Sequence, residues 1–454
     1  MKTTNFLNIN IFGREYSHKH KLLFIFFLAL ILRFSFLFLS YQNWNPALGD
    51  DEQYISYAKN MIDQGVFVPE ISKLFRGSHI VGPGFPLIVA TIFSIFGENY
   101  LIVFAVNAII SALTCVLIYF LGKELFNEKI AFFSSLWSCF YLLNIIYIPR
   151  VLKESWLFFL FALTIYLFIV EIKNKIITWR MLFFAFIYTF LIHLDERFFS
   201  YFPLFVLAFI LLDLSRWKIG AKKGLIFSFV VLIFMIPWTI RNYEVYGKIV
   251  ILTVRTSMIT DRLFYIKHPI EQNNNRLSVL WHTITNEDSF RINEHNNAVQ
   301  EELESNIKAA EVYGLIPYKY NSLKKLYIEL KEFWTPMRFK PEFVEDGFRF
   351  EKPWSLKHNL ISGVLYGTLL PFFIFGCVIL IKKKDQYGIF ILSVIIIHTA
   401  IHLFLAFARN RYRAPIDSFI ILIAFYGIQR IHFFLKGKSK NYLSWSLKTA
   451  ERFR

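Results

Sequence analysis

The sequence predicts an all-α integral membrane protein, a bundle of about ten transmembrane helices with interfacial helices on its outer face. Of its 454 residues, 56% are hydrophobic and 19% are aromatic, and the mean hydropathy is +0.45. A water-soluble globule has too much surface to cover for such a composition. Apolar runs close to the ~20 residues that cross a bilayer also recur along the chain. The composition therefore excludes the soluble fold classes.

Most of the apolar stretches are predicted to span the membrane, and one is predicted to lie in its interface. The predicted spans are 22–40, 100–121, 130–148, 154–171, 177–194, 198–213, 224–241, 357–381, 386–407 and 414–434. The stretch Gly84–Phe96 opens after Gly82-Pro83 and, at about 13 residues, is too short to cross comfortably. We therefore predict that it forms an interfacial helix in the plane of the membrane.

The distribution of basic residues predicts the orientation of the chain. If Gly84–Phe96 does not cross, the short basic loops and the tail after Lys436 fall on one side, which the positive-inside rule makes the cytoplasm. Both termini are then cytoplasmic, in a plasma (inner) membrane. The net charge of +17 is explained by these loops, and no zinc-finger or RNA-binding pattern accompanies it. We therefore expect membrane lipids as partners and no nucleic acid.

Polarity divides the chain into three regions. Residues 1–241 form an N-terminal transmembrane module that includes the first outer loop, 41–99. Residues 242–356 are polar, and they are predicted to form an extracytoplasmic helical loop region that caps the bundle. Residues 357–454 are predicted to contain the C-terminal transmembrane helices and a basic cytoplasmic tail.

Charged side chains at the outer ends of the predicted spans are the features that point to function. Placing charges there is unfavourable unless they are paired or functional. The clusters are Asp50–Glu52, Arg150–Glu154, His193–Arg197 and Arg409–Arg413, with Arg241 beside the long loop. Together they predict that an anionic ligand is handled at the outer face. For any single residue, solvated charges that pair with each other remain the alternative.

Transfer of a sugar from a lipid phosphate would need residues of these types. A carboxylate takes the proton from the acceptor, and fixed cations stabilise charge on the departing phosphate. Asp50 or Asp51 is the predicted base, and Glu154 is predicted to orient the acceptor or to share the base role. Arginine suits phosphate because its planar fork matches the oxygens. The predicted phosphate ligands are Arg150, Lys153, Arg197, Arg241, Arg411 and Arg413, and the predicted acceptor or interface contacts are Tyr54, His79 and Tyr412.

No general acid is strictly required, because phosphate is already a good leaving group, and no cofactor is expected to be required. The carboxylates at Asp50–Glu52 leave a divalent cation open as a minor alternative. His398 and His402 are four residues apart on one helix face, but they lie in an apolar span and favour packing over a metal site. The three cysteines, Cys115, Cys139 and Cys377, also lie in apolar runs, so neither a disulfide nor a metal site is expected.

Four motifs resemble the GT-C superfamily of membrane glycosyltransferases. More narrowly, they are similar to the dolichyl-phosphate-mannose–protein mannosyltransferase-like and aminoarabinose-transferase-like enzymes. The motifs are Asp50-Asp51-Glu52-Gln53-Tyr54 with Ala58, the Pro83-Gly84-Phe85-Pro86 helix ending at Phe96-Gly97, Pro237-Trp238-Thr239-Ile240-Arg241-Asn242-Tyr243 with Gly247, and Arg411-Tyr412-Arg413-Ala414-Pro415-Ile416. Their order and spacing together carry the resemblance, which covers residues 22–434.

The resemblance implies a polyprenyl-phosphate-sugar donor, an inverting transfer, and a catalytic aspartate in the first outer loop. By its spacing to Tyr54, Asp50 matches that aspartate best, and Asp51 is the close second. Glu154 corresponds to a second family carboxylate, although many relatives have Asp there. The acceptor is left open as a glycan, a lipid or a protein, and the sugar, hexose or pentose, is equally open.

Two other functions compete with this hypothesis. A polysaccharide polymerase or ligase also joins lipid-linked glycans outside the membrane, but the Asp-containing first loop and the interfacial helix favour the transferase. A secondary transporter usually places ionisable groups near the bilayer midplane in repeated halves. Here the charges cluster at one face and no duplicated halves appear, which disfavours a transporter.

Overall fold

The computed structural model describes residues 10–11, 14–15, 18–40, 50–65, 67, 82–174, 176–246, 251–252, 323–335, 360–404 and 410–435. The helices, labelled in chain order, are α1 (His18–Ser40), α2 (Asp50–Asp63), α3 (Gly84–Phe96), α4 (Tyr100–Leu125), α5 (Glu128–Phe140), α6 (Glu154–Lys173), α7 (Trp179–Leu194), α8 (Phe202–Leu211), α9 (Trp217–Tyr246), α10 (Leu323–Trp334), α11 (Leu370–Lys382), α12 (Gln386–Phe404) and α13 (Asn410–Leu435). A short antiparallel pair, β1 (Asn10–Ile11) and β2 (Arg14–Glu15), precedes α1.

The structure confirms the all-α membrane fold. By length and composition, 7 of the described helical segments can cross a membrane. They are His18–Ser40, Tyr100–Leu125, Glu154–Lys173, Leu214–Tyr243, Leu360–Lys382, Gln386–Leu403 and Arg411–Phe434. A π-helical turn, Gly363–Gly367, lies within the fifth of these segments.

The predicted count of ten spans is not confirmed. Three predicted spans correspond to shorter helices, α5 with 13 residues, α7 with 16 and α8 with 10. At about 1.5 Å per residue, none of the three matches a hydrocarbon core of about 30 Å. The prediction of a helix over 130–148 is wrong in its second half. There the chain leaves the helix at Phe140 and continues through the 3₁₀ turn Leu142–Asn144, which is buried.

Two shorter helices agree with the sequence-based prediction in their bounds. The interfacial candidate α3 spans Gly84–Phe96, as predicted. Within the polar region 242–356, helical segments are predicted from the sequence over 302–313 and 322–333, and the second of these is found as α10. The predicted helix 302–313 lies outside the described residues, as does most of the loop 242–356.

The C-terminal helix α13 forms the centre of the bundle. It packs against α11, α5 and α6, and 72% of its most apolar window is buried, compared with 22% for α1. The opposite arrangement holds for α9, which presents large apolar side chains such as Leu225, Phe229 and Leu232 outward. Outward-facing apolar surface on this scale is typical of helices that contact lipid.

Ion pairs mark the two ends of the bundle. At one end, Lys21 lies 2.7 Å from Glu128, and Lys223 lies 3.0 Å from Glu171. Lys173 joins the same end, 3.0 Å from Glu124 on α4. Because α4 and α6 cross the bundle, their starting residues lie at the other end, where the remaining charge clusters meet.

Candidate active site

Helix α2 gives its first two residues different environments. Successive residues of an α-helix differ in direction by about 100°. Asp51 points inward and is fully buried. It accepts hydrogen bonds from Arg150 Nε at 2.9 Å and from the Val151 backbone N–H at 2.6 Å. Asp50 points toward solvent with 54% of its side chain exposed.

Arg411 connects Asp50 to Glu154. Its Nη2 atom lies 2.9 Å from Asp50 Oδ2, and its Nε atom donates to Glu154 Oε1. Glu154 begins α6, and Arg411 lies in the first turn of α13, so the pair joins two spans at the same end of the bundle. The rings of Tyr147 and Tyr412 lie 5.8 Å and 5.9 Å from the guanidinium carbon. One guanidinium thus holds two carboxylates on different helices.

A second charged group forms around Asp195, which caps the end of α7. Its carboxylate pairs with Arg197, whose Nε atom lies at 2.7 Å, and with Lys153 Nζ at 3.0 Å. Burial on its own would raise the pKa of Asp195, but the two cations outweigh it and hold the pKa well below its usual value. Asp195 is therefore ionised at neutral pH, and Lys153 and Arg197 are both held by it.

Tyr412 links these groups to two histidines. The Arg197 guanidinium lies 4.6 Å from the centre of the Tyr412 ring, and the His402 ring stacks on the same tyrosine at 5.2 Å. His398 Nε2 lies 2.7 Å from the Tyr412 carbonyl oxygen, and His398 Nδ1 lies 2.6 Å from the Tyr201 hydroxyl. Since a carbonyl only accepts, Nε2 carries the proton and Nδ1 accepts from Tyr201.

These side chains enclose a cavity with an empty volume of about 380 Å³, counting the part that is open to solvent. It is lined by Glu154, Leu157, Phe158, Asp195, Arg197, Phe198, Tyr201, His398, Ile401, His402, Arg411, Tyr412 and Pro415. Its charged lining residues come from three of the four clusters that the sequence places at the outer ends of the spans. Asp50, from the remaining cluster, touches the cavity wall through Arg411.

Other predicted phosphate ligands lie apart from the cavity. Arg413 is buried, pairs with Asp417 at 2.8 Å, and donates to the carbonyl oxygens of Phe333 and Thr335 at the end of α10. Its guanidinium carbon lies 3.6 Å from the centre of the Tyr366 ring. These contacts give Arg413 a structural environment within the bundle.

Arg241 and Arg150 also have protein partners. Arg241 donates to the Phe67 carbonyl oxygen at 2.6 Å, and its guanidinium carbon lies 5.0 Å from the centre of the Trp238 ring. Arg150 is paired with Asp51.

Of the predicted acceptor contacts, one lines the cavity, one is buried outside it, and one is not described by the structure. Tyr54 is buried and packs edge to face on Phe85 at 4.9 Å, which ties α2 to α3. Burial and the neighbouring Asp50 and Glu154 carboxylates raise the pKa of Tyr54 well above its usual value, so it stays neutral. Tyr412 lines the cavity. His79 lies outside the described residues.

Cavity residues outside the predicted set carry weaker sequence signals. His398 and His402 both line the cavity, and the contact between their rings fits the packing role that their apolar span predicts. Tyr147, whose ring lies beside Arg411 without lining the cavity, is in an apolar run and carries no motif. Among the described residues, no group of three or more His, Cys, Asp or Glu side chains is arranged to hold a metal ion.

Comparison with known protein families gives a match that covers part of the chain. A family model described as dolichyl-phosphate-mannose-protein mannosyltransferase matches residues 81–240, a segment that contains Glu154 and Asp195. No curated protein sequence matches significantly.

Solved structures share the fold. The archaeal oligosaccharyltransferase AglB from Archaeoglobus fulgidus, in complex with an inhibitory peptide and a dolichol-phosphate, aligns with a TM-score of 0.56 at 13% identity, over 96% of this chain and 52% of that one. The apo form of the Archaeoglobus fulgidus oligosaccharyltransferase aligns with a TM-score of 0.55 at 13% identity, over 96% and 52%. Its complex with Zn and sulfate gives 0.53 at 13% identity, over 95% and 51%.

The chain spans about half the length of these archaeal proteins. At this level of identity the alignments establish the fold. The family match and the shared fold both agree with the resemblance to the GT-C superfamily.

Proposed function

We propose that the protein is an inverting glycosyltransferase that moves a sugar from a polyprenyl-phosphate donor to an acceptor at the extracytoplasmic face of the membrane. The observation that carries this proposal is the shared contact of Arg411 with Asp50 and Glu154 at the cavity wall. A guanidinium suited to phosphate and a solvent-accessible carboxylate suited to proton removal lie within one hydrogen-bonded group. Lipid-phosphate sugar transfer needs both.

Each group has a defined part in the proposed reaction. The acceptor oxygen attacks the anomeric carbon, its proton passes to Asp50, and the bond from that carbon to the phosphate oxygen breaks. Polyprenyl phosphate leaves with the electron pair, and Arg411 stabilises its growing negative charge. Asp51 is buried against Arg150, so it serves in this scheme to hold α2 in place. Arg197 lines the cavity and provides the second guanidinium near the phosphate.

The contact between Asp50 and Arg411 must open when the donor binds. In an inverting displacement, the attacking and leaving oxygens lie on opposite sides of the anomeric carbon. In inverting glycosidases the two catalytic carboxyl groups stand about 6.5–9.5 Å apart, which leaves room for the sugar and the attacking water between them. The 2.9 Å between Arg411 Nη2 and Asp50 Oδ2 leaves no room for a sugar. We infer that the donor phosphate replaces Asp50 on Arg411, while Glu154 keeps the guanidinium in position.

The distribution of charged side chains supports the proposed extracytoplasmic location. Basic side chains of α6 and α9 lie at the end of the bundle opposite the cavity, where the positive-inside rule puts the cytoplasm. The cavity then opens toward the outer face of the plasma (inner) membrane, with both termini cytoplasmic.

Transfer of a larger glycan is the second candidate function. The aligned archaeal proteins are oligosaccharyltransferases, and one was solved with an inhibitory peptide and a dolichol-phosphate. A polymerase or ligase reaction of this kind would use the same base and phosphate ligand. It would differ in the donor, since the glycan beyond the first sugar would need space outside the cavity.

The proposed activity is tested by measuring release of polyprenyl phosphate from purified protein in detergent. The substrates are polyprenyl-phosphate monosaccharides, lipid-linked oligosaccharides in a parallel arm, and mixed membrane extracts as acceptors. The variants are Asp50→Asn, Asp51→Asn and, as a matched control, Asp63→Asn at the exposed far end of the same helix. Loss of Asp50 should slow release by roughly 10²–10⁴-fold, the usual contribution of a general base.

Asp63→Asn should keep the wild-type rate. Release from monosaccharide donors that collapses in Asp50→Asn supports the proposal. Release from oligosaccharide donors alone would favour the second candidate. An unchanged rate in Asp50→Asn would contradict the assignment of the base.

A further inference from the structure

The cavity contains a buried carboxylate oxygen that the proposed reaction does not use. Glu154 lines the cavity and is 4% exposed. Its Oε1 atom pairs with Arg411, whereas its Oε2 atom is buried without a hydrogen-bonding partner among the residues that the structure describes. A buried charged acceptor that lacks a donor is strongly unfavourable. The ligand of this cavity is the natural source of that donor.

The charge of the cavity wall indicates which donor fits. Among the lining residues, the carboxylates of Glu154 and Asp195 are matched in number by the guanidiniums of Arg197 and Arg411. The charge of Glu154 is already compensated by its pair with Arg411, so its Oε2 atom needs a hydrogen-bond donor but not a second cation. An ammonium group would add a positive charge beside two guanidiniums. The wall therefore favours a hydroxyl as the partner of Glu154.

The position of Glu154 indicates which hydroxyl it meets. Arg411, the proposed phosphate ligand, is bonded directly to Glu154 and lines the same cavity. In the donor, the sugar ring follows the phosphate after a single oxygen, so its ring hydroxyls come within reach of Glu154. Asp50 lies on the exposed side of Arg411, where an acceptor arrives. The donor sugar, and not the acceptor, thus occupies the cavity beside Glu154.

We propose that Glu154 Oε2 accepts a hydrogen bond from a ring hydroxyl of the transferred sugar, so that the enzyme selects donors whose sugar is an uncharged polyol. This assignment rests on the proposed function. It makes Glu154 a specificity-determining residue, distinct from the base Asp50. A site built to bond a hydroxyl discriminates strongly against an analogue that lacks it, because the buried acceptor is then left unpaired.

The test is a double-mutant cycle in which the Glu154 carboxylate and one hydroxyl of the donor sugar are removed, separately and together. Purified full-length protein in detergent is given the neutral polyprenyl-phosphate sugar that it turns over fastest, that sugar's monodeoxy analogues, and the matching amino-deoxy analogues. For wild type, one deoxy analogue should lower kcat/KM by roughly 10–100-fold, as expected for a hydrogen bond to a charged group. In Glu154→Ala the same analogue should cause less than about a threefold loss, since the acceptor is gone.

Two further variants separate this role from folding and from the ion pair. Arg411→Lys disturbs the same pair but keeps the Glu154 carboxylate, so it should lower overall activity and retain the deoxy penalty. Glu154→Gln replaces the charged acceptor with a neutral one, so its penalty should be smaller than the wild-type penalty. It serves as the test variant if Glu154→Ala does not fold.

Three results would overturn the assignment. A deoxy penalty that is the same in wild type and both Glu154 variants would remove Glu154 from sugar recognition and leave the transferase intact. A wild-type preference for an amino-deoxy donor that disappears in Glu154→Gln would make the partner an ammonium group. Failure of wild type to release polyprenyl phosphate from any donor would contradict the proposed function itself, and the subsite with it.

Discussion

Asp50 and Asp51 are adjacent in the chain, yet helix geometry separates their chemistry. The first turn of α2 directs Asp51 into the bundle, where Arg150 and the Val151 N–H satisfy its carboxylate. Asp50 is directed to the surface, where its carboxylate pairs with the Arg411 guanidinium. Their roles should therefore separate in measurements of stability as well as of activity.

Asp51→Asn should destabilise the protein more than Asp50→Asn does. The change leaves the Arg150 guanidinium, 20% exposed, without its carboxylate, and breaking a buried pair lowers the free energy of unfolding by about 3 kcal/mol. Asp50→Asn removes a half-exposed pair, which contributes little. Thermal unfolding in detergent, followed by tryptophan fluorescence or by size-exclusion chromatography after heating, measures the difference. Equal melting temperatures for the two variants would argue against a structural role for Asp51.

Arg413 and Asp417 form a similar buried pair inside α13. Tyr141 donates to Asp417 at 2.7 Å, and Arg413 also holds the Phe333 and Thr335 carbonyl oxygens of α10. Arg413→Gln should therefore lower thermal stability and release α10, detected as faster proteolysis near Trp334. The KM for the donor should stay within about threefold of wild type in the folded fraction, because Arg413 does not line the cavity. A large rise in KM with unchanged stability would restore its predicted role as a phosphate ligand.

At the scale of elements, the packing of α3 against α7 fixes the position of Asp195. A Cβ atom at Gly82 would lie 2.2 Å from the His193 carbonyl oxygen, and one at Gly84 would lie 2.9 Å from the Leu194 nitrogen. These distances leave space for glycine alone. Since His193 and Leu194 directly precede Asp195, any added side chain must push on the backbone that carries this carboxylate.

Gly82→Ala should therefore destabilise the protein by about 1–3 kcal/mol, the usual range for overpacking, and should lower activity through displacement of Asp195. Gly224→Ala is the matched control, because a Cβ there meets its nearest atom at an ordinary 3.6 Å. The control should be neutral or slightly stabilising, since alanine favours helix over glycine. Melting temperatures and donor turnover for the two variants provide the check. Wild-type behaviour of Gly82→Ala would show that α3 can move away without affecting the site.

The sequence predicts the bounds of some helices closely and those of others poorly. Lipid requires a continuous apolar run for each crossing helix, so the ranges of α1, α4 and α6 follow closely from hydropathy. The turns after Phe140 are as apolar as a helix, because protein buries them, and hydropathy cannot reveal that change of backbone. The charge clusters can also be identified from the sequence, because a charged side chain next to lipid is unfavourable and therefore stands out against the apolar spans. Their pairing across helices depends on tertiary contacts, such as Arg411 with Glu154, that no local pattern encodes.

At the scale of the whole molecule, the two ends of the bundle differ in the kind of charge they expose to each compartment. The cavity and its carboxylates lie at one end, and exposed basic residues such as Lys218 and Lys222 lie at the other. In the proposed reaction an anionic donor headgroup would approach the cavity end, and the basic end would face the anionic cytoplasmic leaflet. The orientation of the entire protein in the membrane therefore decides whether the proposed reaction is extracytoplasmic.

Single cysteines at the two ends test that orientation. Glu98 is exposed just before α4, at the cavity end, and Ser215 is exposed between α8 and α9, at the basic end. With Cys377 replaced by Ser, a membrane-impermeant maleimide on intact cells should label Glu98→Cys and not Ser215→Cys. Both should be labelled after permeabilisation, which controls for accessibility. The native Cys115 and Cys139 are buried and provide the background. The reverse labelling pattern would place the cavity on the cytoplasmic side. The donor and the acceptor would then have to bind at the cytoplasmic leaflet, and the positive-inside rule would not describe this protein.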